Sequence, residues 1–364
     1  MGEGIAVILE DMALTSWQAL TGNALLFVLV LGLACEVELE LFKESLKSRG
    51  LLIGCAAQFV ILPLLGFLMA CTMFADQPEI GIPLIITTSS PGGSYSNWWT
   101  SLFNGDLALS VAMTTVSSML SIGMLPLNLY MYIKGAYPNG NSIRVTWAGL
   151  FVSIGVVLCG VGCGLIVSVR FKKAKSIMYK IGNVCGVLLV ILGFVFSSNS
   201  SAPIWGRGYT FYIGLIIPCV AGLLLALGFA RLAKLGWPQS LAVSIEVCYQ
   251  NTAIALAVIL SSFEDDSCTG SSCDVAARAA GVPAFYQLIQ VFSLAILCVS
   301  AHYLGWTYAP KDVSLFHAIT RNFQPTKKTN DSDSEENRST DIENASSSET
   351  AAVVGDKAPA ALRK

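Results

Sequence analysis

Three polar residues, Glu246, Gln250 and Asn251, fall inside the stretch "SIEVCYQNTA" (244–253), which has apolar runs on both sides. A charged side chain at the centre of a bilayer costs about 2.5–3.5 kcal/mol on insertion scales. The same apolar stretch holds no Lys or Arg to offset Glu246. Three arrangements meet that cost: a protonated carboxyl in a structural hydrogen bond, a proton relay, or a bound cation. A second polar cluster lies in "TTSSPGGSYSN" (87–97), where Ser94, Ser96 and Asn97 follow Pro91, Gly92 and Gly93. Proline and paired glycines end a regular helix and free backbone groups. Irregular backbone at membrane depth survives only where protein or a water-filled cavity satisfies it. Ser110 and Thr114 stand four residues apart and share one helix face. Taken alone, such hydroxyls bond back to their own helix. Taken together, carboxylate, amide, hydroxyl and freed carbonyl oxygens suit a hard alkali cation rather than zinc or copper.

These groups must be positioned by membrane helices. Of the 364 residues, 54% are hydrophobic and 13% charged, against about 25% charged in a soluble domain. With a net charge of −2, nothing in the composition points to nucleic acid, and two histidines leave little for a His-based centre. A spanning helix needs about 20 mostly apolar residues. Nine segments qualify, at approximately 18–36, 50–74, 79–103, 107–133, 145–169, 177–198, 211–230, 238–262 and 281–307. The third is interrupted by the Pro-Gly-Gly stretch. Lys and Arg set the orientation. With the N-terminus outside, the basic "RFKKAK" run (170–175) faces the cytoplasm, and the external loops carry only Lys134, Arg144, Arg207 and Arg278. The acceptor sequon at Asn199 then falls outside, as does the loop bearing Cys268 and Cys273. An external loop permits a Cys268–Cys273 disulfide; an internal one leaves free thiols. The other nine cysteines sit in apolar runs and read as small core hydrophobes. Residues 1–17 are expected to be an extracellular N-terminus without a cleavable signal peptide. Residues 309–364 are expected to be a cytoplasmic tail, largely disordered, since from about residue 325 onward it is too poor in large apolar residues to fold.

Spans 2–4 begin inside and spans 7–9 begin outside, and each triplet has an interrupted or polar middle member. Two such triplets form the pattern of inverted-repeat secondary transporters, whose sites lie where the broken spans cross. A membrane receptor has no need for two broken spans, and the motifs of an intramembrane enzyme (a nucleophile–base pair, HExxH, GxSxG) are missing.

The stretch "SPGGSYSNWWTSLFNGDLALSVAMTTVSSMLSIGMLPL" (90–127) resembles the signature of the bile acid:sodium symporter family, and "IEVCYQNTAIA" (245–255) resembles its second motif. "CAAQFVILPLLGF" (55–67) and "CEVELELF" (35–42) are similar to further family stretches. The resemblance covers about residues 25–307. It implies an all-α polytopic membrane protein with nine transmembrane helices and two crossing broken helices. A core (50–133 and 211–307) would work against a panel (18–36 and 145–198), the whole domain running over 18–308. It implies a glycoprotein of the plasma membrane that carries organic anions such as bile acids or sulfated steroids with sodium; a homodimer stays open. A proton-coupled or sodium-independent carrier on the same fold is the alternative. One sodium site would use Ser96, Asn97, Ser110, Thr114 and Glu246. A second would use Gln58, Glu246 and Gln250, with the carbonyls of Val247 and Tyr249. Substrate contacts would fall at Ser94, Asn251 and Gln290. Two departures stand out: Cys248 replaces a common glycine, and Tyr95, Trp98 and Trp99 are bulkier than the family's usual residues.

Overall fold

The computed structural model describes residues 17–35, 48–93, 95–138, 147–171, 173–198, 203–263, 275–321 and 323. Ser94, Asn199, Cys268, Cys273 and the stretch 325–364 lie outside them. Thirteen α-helical segments follow in chain order: α1 Trp17–Cys35, α2 Arg49–Ala56, α3 Leu62–Thr72, α4 Pro78–Ser89, α5 Tyr95–Leu102, α6 Leu107–Ala136, α7 Trp147–Arg170, α8 Lys175–Ser198, α9 Tyr209–Leu232, α10 Trp237–Cys248, α11 Thr252–Ser262, α12 Val275–Leu304 and α13 Leu315–Thr320. A π-helical turn, Ala57–Ile61, joins α2 to α3 in one rod. Among the described residues, five helices are long and apolar enough to cross a membrane: Arg49–Thr72, Leu107–Ala136, Ile177–Val195, Tyr209–Leu232 and Val275–Leu304.

These helices expose large apolar side chains. Val184, Leu224, Phe292 and Ile296 are all exposed, which lipid tolerates. Cys71, Cys159 and Cys163 are exposed as well, whereas Cys35, Cys185, Cys219, Cys248 and Cys298 are buried. Placing all nine in the core was therefore too narrow, because lipid and interior are equally apolar and a small thiol suits either.

Small residues let the helices approach closely, as expected where packing replaces the hydrophobic effect. α1 lies against α7 and α8. A methyl group on Gly32 would sit 2.6 Å from the Met178 carbonyl and 2.8 Å from the Gly182 Cα, so α1 and α8 are in backbone contact there. α10 packs on α2, α6 and α9, while α12 contacts α4, α8, α9 and α11. At the π turn the extra residue disturbs the helical hydrogen-bond ladder. Asn128 of α6 compensates by donating Nδ2–H to the Phe59 carbonyl at 3.0 Å.

There are two differences from the sequence expectation. The last long helix starts at Val275 rather than 281, so Arg278, expected in an external loop, lies within it and is paired with Glu79 of α4 at 2.9 Å. The second concerns the tail. Residues 309–321 are folded: Ala309 and Ala318 are buried, and Leu315 and Ile319 pack against the apolar cluster that includes Phe103 and Leu241. The short helix Leu315–Thr320 docks this first part of the tail through two apolar anchors.

Candidate functional site

α4 ends at Ser89 and α5 begins at Tyr95; α10 ends at Cys248 and α11 begins at Thr252. The two breaks meet. Gly93 N–H donates to the Tyr249 carbonyl at 2.8 Å and Asn251 N–H to the Pro91 carbonyl at 2.9 Å, an antiparallel bridge centred on Gly92 and Gln250. Each break thus satisfies backbone groups that the other frees. Gln290 of α12 completes the pairing: it accepts from Gln250 N–H at 3.0 Å and donates to the Gln250 carbonyl at 3.2 Å. Asn251 caps α11 by accepting from Ile254 N–H at 3.1 Å.

The motif glycines are required by approach distance. A methyl group on Gly92 would lie 2.3 Å from Glu246 Oε1, and one on Gly93 2.7 Å from the Tyr249 ring. Gly92 therefore presses on the Glu246 carboxylate and Gly93 on the Tyr249 ring.

Around that carboxylate the structure brings together Ser96, Asn97, Ser110, Thr114 and Glu246. Ser96 Oγ donates to Glu246 Oε2 at 2.6 Å. Ser110 Oγ donates to Asn97 Oδ1 at 2.8 Å. Thr114 Oγ1 lies 2.9 and 3.0 Å from the two Glu246 oxygens, 3.2 Å from Asn97 Oδ1, 3.1 Å from the Ser110 carbonyl and 3.3 Å from Ser96 Oγ. A hydroxyl has one proton to donate, so Thr114 can satisfy only one of those oxygens. Glu246 is 0% exposed, and among the described residues no Lys, Arg or His pairs with it. The cluster holds a surplus of acceptor oxygens over protons, with one negative charge and no protein cation. A hard monovalent cation meets both deficits.

A second polar group adjoins it. Gln58, in the π turn, donates Nε2–H to Gln250 Oε1 at 3.2 Å and to the Ser90 carbonyl at 3.3 Å. Gln250 in turn donates to the Val247 carbonyl at 2.7 Å. Gln58 Oε1 is buried and has no hydrogen-bond partner. Since buried polar atoms are nearly always satisfied, this orphaned oxygen also fits a cation. Among the described residues no hydrogen bond joins Glu246 to Gln58 or Gln250, and the Tyr249 carbonyl already accepts from Gly93 with one lone pair.

Beside the crossing lies a cavity of about 400 Å³, bounded by Leu29 of α1, Asn183, Val187, Val190, Ile191 and Phe194 of α8, residues Tyr249–Ala253, Tyr95 and Gln287. That is within the range of small-molecule sites. Its walls are apolar on the α1 and α8 side apart from Asn183. On the crossing side they carry amides and hydroxyls, and among the described residues no ionisable acid or base other than tyrosine lines it. Asn251 lines the cavity; Gln290 is buried behind it, with its amide bonded to Gln250 and Gln287. Gln287, one turn earlier, takes that place. Gln287 accepts from Thr252 Oγ1 at 2.6 Å and donates to Tyr249 Oη at 2.8 Å.

Gln287 and Asn183 escaped the sequence reading. The first was signalled only by its position three residues before Gln290, and the second sits in an otherwise apolar helix. Thr100, whose hydroxyl donates to Ser110 Oγ at 3.2 Å, escaped it too, masked by an ordinary helical context.

Residues 23–202 match the Sodium Bile acid symporter family. The chain is 30% identical to the ileal sodium/bile acid cotransporter of Oryctolagus cuniculus, over 67% of this chain and 70% of that one. It is 32% identical to the Homo sapiens protein of the same name, over 66% and 68%. It is also 28% identical to the sodium-dependent organic anion transporter of Homo sapiens, over 65% and 62%.

Proposed function

Because this chain belongs to the sodium bile acid symporter family, we propose that it is a secondary carrier that moves an amphipathic organic anion across a membrane together with sodium. It is a transporter and not an enzyme. The observation that carries the sodium reading is the surplus of acceptor oxygens around Glu246, a buried carboxylate with no protein cation beside it.

One sodium ion is held by Glu246, Thr114, Ser96, Asn97 and Ser110. A second is held by Gln58, Gln250 and the carbonyls of Val247 and Tyr249, with Glu246 close behind. The C-terminal ends of α4 and α10 point their negative dipole ends at the crossing, which favours cations there; the N-terminal end of α11, at Asn251 to Ala253, favours an anionic group in the cavity. The anion's body lies against Leu29, Val187, Val190 and Phe194. With no basic residue lining the cavity, the substrate's charge is met by amide donors, the helix end and the nearby sodium. Loading with sodium therefore prepares the site for the anion, which is the coupling that symport requires.

In the full topology nine spans form an inverted repeat. Spans 50–133 and 211–307 make the core, and 18–36 and 145–198 the panel, with the N-terminus outside, the C-terminus cytoplasmic and the protein in the plasma membrane. Asn199 is then an external glycosylation site and Cys268–Cys273 an external disulfide. Substrate contacts are made by Ser94, Asn251 and Gln290. The cavity lies between panel helices α1 and α8 and the crossing, where motion of the panel against the core would expose it to alternate sides. At 100 mV each charge carried inward contributes about 2.3 kcal/mol, enough for about a fortyfold concentration gradient.

Replacing external sodium by choline at constant pH tests this reading in cells expressing the full chain. Uptake of a labelled sterol conjugate is expected to fall to the background of untransfected cells. Persistence in choline would identify a sodium-independent or proton-coupled carrier instead.

A further inference from the structure

The corner between α5 and α6 is held by a part of the chain more than two hundred residues away. Asn104 ends α5 with φ of +52°, the left-handed region that Asn tolerates better than most residues. It is fully buried. Its Nδ2 donates to the carbonyls of Ala318 at 2.6 Å and Arg321 at 3.3 Å, and its Oδ1 accepts from Phe323 N–H at 2.8 Å. Its backbone carbonyl accepts from Tyr308 N–H at 2.8 Å. Every hydrogen-bonding function of the amide is thus taken by the segment after α12.

That segment has further anchors. Trp306 stacks on Trp237 of α10, with ring centroids 4.4 Å apart and planes 2° from parallel. The His302 ring is 3.0 Å from the Val313 carbonyl. Tyr308 Oη approaches Asp106 Oδ2 at 3.4 Å. Asp106 caps α6 by accepting from Leu109 N–H at 3.0 Å, and its own N–H donates to Pro238 O at 3.1 Å. The corner Phe103–Asp106 connects Ser96 and Asn97 on α5 to Ser110 and Thr114 on α6. Whatever fixes this corner fixes the relative placement of four of the five residues around the carboxylate.

We infer that residues 306–323 form a strap that sets the spacing of α5 and α6, and through it sodium affinity, with Asn104 as its positioning residue. This rests on the sodium-coupled reading above. The strap's hydrogen bonds go to Asn104 and Asp106 rather than to the ion cluster, and among the described residues none of the strap lines the cavity, so its loss loosens the cation site while leaving the substrate site intact.

The test is uptake measured against sodium at fixed substrate, and against substrate at saturating sodium, corrected for protein at the cell surface. Asn104→Gly removes all three amide bonds and keeps the backbone conformation, since glycine adopts positive φ freely. The sodium concentration for half-maximal uptake is expected to rise by about fivefold or more, with substrate half-saturation unchanged. Asn104→Asp keeps the acceptor but turns a carboxylate oxygen toward the Ala318 and Arg321 carbonyls, so it is expected to give at least as large a rise, and it serves as the second variant should the glycine variant not reach the surface. A chain ending after Gln324 retains the strap and is expected to match wild type. An unchanged sodium half-saturation in Asn104→Gly or, should that variant not reach the surface, in Asn104→Asp, overturns the strap, as does an equal rise in both half-saturation values. Sodium-independent uptake by the wild type would instead overturn the symport reading on which the strap depends.

Discussion

Glu246→Gln is expected to abolish sodium-driven uptake while leaving the protein folded and at the cell surface. The substitution keeps the size of the side chain, and an amide can still accept from Ser96. What it removes is the one negative charge in a site without a protein cation. Deleting one partner of a buried, hydrogen-bonded charge pair costs about 3–5 kcal/mol, or more than a hundredfold in sodium affinity. The cost to folding runs the other way. A buried carboxylate without a counterion is unfavourable, so in sodium-free buffer the glutamine variant is expected to unfold at the same temperature as wild type or higher. Sodium raises the melting temperature of a protein it binds only in the native state. That rise should appear in wild type and vanish in Glu246→Gln. A variant that loses uptake because it fails to fold would show the opposite pattern.

Gly92→Ala is expected to lose uptake by a different route. Its methyl group would meet Glu246 Oε1 at 2.3 Å and Cδ at 3.1 Å. Glu246 has little room to yield, because Ser96 and Thr114 hold its oxygens at 2.6–3.0 Å. Either the carboxylate turns away from Thr114 or the Pro91–Gly93 segment moves off Tyr249 and breaks the antiparallel pairing. Overpacking of this kind costs about 1–3 kcal/mol, and displacing the carboxylate is expected to reduce uptake about a hundredfold or more. Gly123→Ala in α6 is the matching control. A methyl group there meets nothing within 4 Å, and alanine favours the helix by up to about 1 kcal/mol. Thermal unfolding in detergent and uptake at saturating sodium separate the two: Gly92→Ala falls in both, while Gly123→Ala keeps its activity with equal or greater stability.

Much of this site was legible in the sequence because its signals are local. Glu246, Gln250 and Asn251 stand out against an apolar background, and Pro91-Gly92-Gly93 announces a break wherever it occurs in a helix. Apolar runs of spanning length gave the long helices to within a few residues: 211–230 became Tyr209–Leu232. What was not legible depends on partners far along the chain. The π turn at Ala57–Ile61 is an ordinary apolar run until Asn128 donates to Phe59. Gln290 looked like a residue open to substrate, and its bonds to Gln250 become visible only once α12 lies beside the crossing. The segment 309–321 is placed by partners far along the chain: Leu315 and Ile319 pack on the cluster with Phe103 and Leu241, and the Asn104 amide donates to the Ala318 and Arg321 carbonyls. Nor could residue types show that one hydroxyl, Thr114, faces five acceptor oxygens.

The central claim is that the Glu246 cluster binds sodium, and equilibrium binding to purified protein tests it most directly. Sodium titrated by calorimetry at constant ionic strength, with choline as the balancing cation, is expected to give a saturable heat for wild type and none for Glu246→Gln. Equal sodium binding by the two proteins, or no saturable binding by wild type, would contradict the account.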